Sequence, residues 1–264
     1  MKSTGNASEK IMKTRLPAAI CLGWALAGFL FAAEWWDKKP FQEWSPKEAT
    51  RMLDNSPWGK IHTVTISNPA YTGERSFQTI GSGDLEREKR NLFHLHFLTA
   101  KPVRMAVARN LLLGSNGKMQ PAELQNFVDQ PNEQSIVVGL TLSSEPPGAS
   151  SLNGYMAALL KLTTPVLASN TTLATNTGKR VFLSRYDPPG KDGLGAKYYF
   201  PRNLPDGEPL VTSADKEIRF ETMITLIEGY TITGEKLGVE NSREDRVWMQ
   251  FDLRKMIFQG KLEI

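Results

Sequence analysis

The chain has 264 residues, 32 of them basic and 28 acidic, for a formal net charge of +4, and one cysteine, Cys21. Beyond residue 33 only 28 basic and 27 acidic residues remain, and this near-neutral remainder excludes broad electrostatic binding to nucleic acid. The same part has no cysteine, which excludes disulfides, thiolate metal sites and a cysteine nucleophile and leaves stability to the hydrophobic core.

The N-terminus reads as an export leader. Lys10, Lys13 and Arg15 precede an apolar run from Leu16 to Ala33, and the chain turns polar at Glu34. A basic region, an apolar stretch and small residues at its end are the parts of a signal peptide. Ala25-Leu26-Ala27 offers an A-x-A cleavage site; Ala33 offers a second, with Phe31 a poor fit at −3. An uncleaved leader is the third reading. The eighteen residues 16–33 then act as a membrane tether at the lower length limit for a core of about 30 Å, with the basic residues inside. Residues 34–264 are expected to form one α+β domain, mostly antiparallel with a few short helices, with a possible boundary near 144–150.

An aromatic segment follows the leader: Trp35, Trp36, Phe41 and Trp44. It is read either as a docking surface or as a lid packed on the domain. Ser45-Pro46-Lys47-Glu48 is a capping box with proline at the first helical position. It opens a helix to about Asn55 that ends at Pro57. Ile61 to Ser67 and Leu92 to Leu98 alternate as strands. In the second, Phe93, Leu95 and Phe97 share one face and His94 and His96 the other. Gly81-Ser82-Gly83-Asp84 reads as a turn, and Glu86 to Arg90 as a solvated charge run.

A helix is expected from Pro102, with Val103, Ala106, Val107 and Leu111 inward and Gly114 as its C-cap. A second runs from Pro121 to Val128 with Leu124, Phe127 and Val128 inward. Ser135 to Leu142 has no polar face and is expected to be a central strand. Ser150-Ser151 starts a helix with Tyr155, Leu159, Leu160 and Leu162 as apolar positions. The last third reads as strands at about 179–186, 196–200, 218–224 and 247–257. The turn-rich stretch 187–195 makes a hairpin loop between the first two.

Few residues carry recognisable chemistry. His62, His94 and His96 are the only histidines. Two at i, i+2 on a strand point the same way, and His62 on a neighbouring strand is the candidate third ligand for Zn²⁺. The alternative is that positions 94 and 96 are simply the polar side of a half-buried strand. Ser213-Ala214-Asp215-Lys216 matches S-x-x-K but lies in a turn-like stretch, not on the helix which that chemistry needs. No G-x-S-x-G, G-x-G-x-x-G or P-loop is present. Arg185 and Arg202 sit at adjacent strand ends. They are read either as a bidentate anion site or, for Arg202, as a pair with Asp187 across the loop.

Three stretches carry a resemblance: Lys39 to Glu48 with Ser56-Pro57-Trp58-Gly59-Lys60, Leu98 to Arg104, and Phe251 to Glu263. Together they resemble exported proteins of acidobacteria for which no activity is established. The resemblance implies export and one continuous domain, and it carries over no catalytic residue and no cofactor. The leading expectation is therefore an exported cell-envelope protein with a non-enzymatic binding or assembly role toward an envelope protein or small molecule. The alternatives are a metal-dependent hydrolase using His62, His94 and His96, and a carrier of apolar small molecules built on the aromatics of residues 35–58.

Overall fold

The structure, a computed structural model, describes residues 34–66, 89–130, 134–148, 151–228, 231–232, 235–236 and 241–264. The expectations placed on the leader, on the turn at 81–84 and on residues 86–88 of the charge run lie outside these residues. The chain is α+β, and among the described residues every strand pairing is antiparallel.

Helix α1 (Pro46–Asp54) begins as its sequence dictates: Ser45 Oγ accepts from the Glu48 N–H, and the Glu48 carboxylate accepts from the Ser45 N–H at 2.7 Å. Strands β1 (Gly59–Ile66) and β2 (Lys89–Phe97) pair along their whole length. β2 starts earlier than the alternation indicates, because Lys89 and Arg90 pair with Ile66 and Thr65 and so join the ladder. Helices α2 (Lys101–Gly114) and α3 (Pro121–Asp129) follow, then β3 (Ser135–Glu145), α4 (Ser151–Lys161) and the single turn α5 (Thr164–Leu167). β4 (Thr172–Thr175), β5 (Arg180–Phe182), β6 (Arg185–Asp187), β7 (Ala196–Pro201) and β8 (Glu217–Glu228) come next. The short pair β9 (Thr231–Ile232) and β10 (Glu235–Lys236), the long β11 (Asn241–Asp252) and the pair β12 (Ile257–Phe258) and β13 (Lys261–Leu262) end the chain.

Two sheets dominate. One has the order β1-β2-β3-β7-β6 and the other β11-β8-β4-β5. β3 is central, as its apolar run requires, and the 187–195 loop joins β6 to β7 as a hairpin. The sheets face each other through aromatic contacts. Phe97 meets Phe251 with ring centroids 4.8 Å apart, and Tyr198 and Phe200 meet Phe220 at 5.3 and 6.0 Å. Register then assigns every residue of these strands to a face. Helices α1–α3 cover the outer face of the five-stranded sheet. Helix α4 plugs one end of the sandwich, its Tyr155 ring 5.0 Å from Phe93. α4 packs on both β3 and β8, and its Tyr155 and Leu159 belong to the same hydrophobic core as those strands.

Four expectations need correction. The strand at 179–186 is two strands in different sheets. Leu183 N–H donates to Thr171 O at 3.0 Å and Ser184 N–H to Tyr199 O at 2.9 Å, so the chain changes sheets between these residues. The last strand ends at Asp252, whose carboxylate caps a 3₁₀ turn at Leu253–Lys255. Gly114 is not the C-cap of α2; Ser115 is, and the positive φ angles fall at Asn116 and Gly117. Leu111 and Leu160 are 38% and 54% exposed: the buried run of α2 stops at Ala108, and α4 buries Tyr155 and Leu159 instead.

The Trp-rich segment packs on the domain. Trp44 and Trp58 are fully buried, and edge contacts of 5.1 to 5.6 Å link Trp35 to Trp36 and Trp44, and Trp36 to Trp58. The C-terminal segment straps this cluster down. Trp58 Nε1–H donates to Glu263 O at 2.8 Å, and the Lys101 N–H at the start of α2 donates to the Glu263 carboxylate at 2.9 Å. The stretches around Trp58, Lys101 and Glu263 are therefore neighbours in space.

Candidate functional site

Strand register separates the three histidines. His94 pairs with Ile61, and His96 with Gly59, on the helix-covered face. His62 pairs with Phe93, on the opposite face, and its ring lies 6.2 Å from that of Phe93. Burial lowers the His62 pKa, against a hydrogen bond that the ring donates to the Trp248 backbone carbonyl and the charge of Asp245. Among the described residues no three His, Cys, Asp or Glu side chains are placed to hold a metal ion. The zinc reading of His62, His94 and His96 therefore fails on geometry: a sheet lies between the third ligand and the other two.

His94 is engaged differently. Its Nδ1 lies 2.8 Å from Asp54 Oδ1 and its Nε2 2.7 Å from Ser143 Oγ. Asp54 is the last residue of α1, and Ser143 lies on β3, one register step from Thr141, the partner of His94. His96 is 3% exposed, and burial pushes its imidazole down to about 4. Its Nδ1 has no hydrogen-bond partner. The Gly139 backbone passes directly beneath it, where an added Cβ would sit 2.8 Å from Nε2. Next to these groups is a cleft of about 240 Å³, lined by Leu53, Asp54, His96, Val107, Thr141 and Leu194 among others.

The other sequence candidates are structural. Ser213 and Lys216 lie in a turn and at the entry to β8, not on a helix. Their neighbour Asp215 is buried. Desolvation would raise its carboxyl, but hydrogen bonds from Thr177, the Thr212 N–H and hydroxyl, and Thr175 outweigh it and hold it well below the carboxylate range. Arg185 stacks on the Tyr199 ring at 3.7 Å and lies 3.4 Å from Asp187. Arg202 donates to Ile264 O at 2.8 Å. The two guanidiniums thus serve different anchors.

A second surface was only half visible in the sequence. The outer face of the four-stranded sheet carries Arg180 and Phe182 from β5, Thr172 from β4, Arg219, Glu221 and Met223 from β8, and Arg246 and Trp248 from β11. Register lines up Phe182, Thr172, Glu221 and Trp248 as one row across four strands. Phe182 is 51% and Trp248 44% exposed. Arg246 pairs with Glu221 at 2.7 Å, and Arg219 approaches the same carboxylate at 3.7 Å. Three guanidiniums therefore face one carboxylate, around a shallow polar depression of about 310 Å³ completed by Ser169 and Asn170. The available signal was Trp248, a tryptophan on the polar side of an alternating strand. Scans of protein-family models, curated proteins and solved structures find no match to this chain.

Proposed function

We propose that this is an exported protein of the cell envelope that binds an anionic polysaccharide on the open face of its four-stranded sheet. The observation that carries the reading is the row of Phe182 and Trp248 flanking Glu221 within a cluster of three arginines. Strands about 4.8 Å apart set the two rings roughly 14 Å from each other, a spacing suited to a few consecutive sugar rings. Exposed aromatic faces stack on sugar C–H groups, and guanidiniums bind carboxylates in a bidentate way. The net positive balance of the patch supports an acidic polymer over a neutral one. The leader and the resemblance to exported acidobacterial proteins support the envelope location.

Among the described residues no helix is long and apolar enough to cross a membrane, so a tether would reside in residues 16–33. The test is titration calorimetry with polygalacturonate and with dextran. Binding to the acidic polymer only, weakened at least about tenfold in Arg180→Ala/Arg246→Ala and in Trp248→Ala, is the expected result. Equal binding of dextran, or tighter binding of single-stranded DNA, would overturn the reading. Mass spectrometry of the N-terminus in the envelope fraction tests export separately.

A further inference from the structure

We propose that Asp54, His94 and Ser143 form an acyl-transfer centre with Ser143 as the nucleophile toward small carboxylic esters. This site lies on the far side of the sandwich from the sheet face described above and does not depend on that reading. The three groups form one chain of hydrogen bonds, 2.8 Å from carboxylate to imidazole and 2.7 Å from imidazole to hydroxyl. A carboxylate that accepts from Nδ1–H fixes the tautomer, so the bare Nε2 faces the hydroxyl whose proton it must take.

Each member is held by a different element. Asp54 closes a helix capped by Ser45 and Glu48 and followed by Ser56, whose hydroxyl donates to Met52 O at 2.6 Å. His94 is fixed in β2 between β1 and β3, and Ser143 is fixed in β3. The side chains of His94 and Asp54 retain 16% and 22% exposure, so the relay is shielded yet reachable. The neighbouring cleft supplies an apolar seat for an acyl chain in Leu53, Val107, Leu111 and Leu194. The same cleft is lined by His96, whose Nδ1 is unpartnered. A buried ring nitrogen left without a partner is unfavourable, and a polar ligand atom in the cleft would satisfy it.

In the first step the Ser143 oxygen bonds to the ester carbonyl carbon, its proton passes to His94 Nε2, and the carbonyl electron pair moves onto oxygen. Collapse breaks the bond to the alkoxy group, which leaves as an alcohol with the proton from His94. Water then attacks the acyl-serine, again losing a proton to His94, and the carboxylic acid leaves as Ser143 recovers its proton.

The full-length protein is treated with a fluorophosphonate probe and assayed with p-nitrophenyl acetate and butyrate. One adduct, mapped to Ser143 by peptide mass spectrometry, is expected. Ester hydrolysis should fall at least about 100-fold in Ser143→Ala and in His94→Gln. An unlabelled Ser143, or hydrolysis at the wild-type rate in a folded Ser143→Ala, would overturn the proposal and leave the trio as a clamp between α1 and the sheet. The labelling arm uses the unaltered chain, so it decides even where a variant does not fold.

Discussion

A buried histidine links this protein's stability to pH in a direction fixed by its surroundings. Burial holds the His96 imidazole down to about 4 in the folded state, against an unfolded value of about 6.5. The unfolded chain therefore binds the extra proton first. Stability from a neutral His96 is complete above pH 6.5 and is lost as the pH falls toward 4. A gap of that size corresponds to about 3 kcal/mol. Melting temperatures measured from pH 7.5 to 4.5 should fall steeply in the wild type and more gently in His96→Leu. His62, also lowered by burial, supplies part of the slope that remains. Parallel curves for the two proteins would show that His96 is not the buried neutral group described. The sequence placed His94 and His96 on one face of a strand. It gave no sign that Asp54 and Ser143 would flank one of them, because those contacts depend on how α1 lies across β2 and β3.

Elements whose chemistry is local were legible, and those defined by partners were not. The capping box of α1 and the turn-rich 187–195 hairpin follow from short-range hydrogen bonds and fixed φ angles, which neighbouring residues encode. β4 has only four residues, and its membership of a sheet depends on Leu173 meeting Phe220 and Val181. The sheet change at Leu183–Ser184 likewise has no local signature. Gly195 lies between these cases. Its φ is +74°, and an added Cβ would fall 2.1 Å from Leu140 O, so a turn glycine is also a packing requirement. The capping box is directly testable. Ser45→Ala removes the acceptor for the Glu48 N–H and should cost about 1 kcal/mol, seen as a lower urea midpoint at unchanged m-value. Hydrogen bonds from Lys39 and Ser45 lower the Glu48 carboxyl from 4.5 to about 2. Its contribution is present above pH 4.5 and fades toward pH 2, so the difference between wild type and variant should narrow over that interval. An unchanged midpoint at pH 7 would show that the box does not stabilise the fold.

The molecule as a whole depends on contacts between chain ends that no local pattern reveals. Periodicity identified the core faces of β2, β3 and β11, but not that β11 would lie over β1 as an edge of a second sheet. Nor did it show the final residues returning to the Trp cluster. That return makes the C-terminal quarter part of the core. Val247, Phe251, Leu253, Met256, Phe258 and Ile264 are all buried. β11 supplies the outer partner of β8, from Val247 opposite Thr222 to Asp252 opposite Glu217. Burying six such side chains is worth on the order of 10 kcal/mol, comparable to the whole stability of a domain at about 5–15 kcal/mol. A chain ending before Val247 also leaves Glu217 to Thr222 of β8 without their β11 partners and Trp58 Nε1 without its acceptor at Glu263. Such a truncation should yield insoluble or non-cooperatively melting protein, whereas removal of residues 1–33 should leave melting unchanged. A soluble truncation product with a sharp circular dichroism transition would mean that the two-sheet core closes without β11.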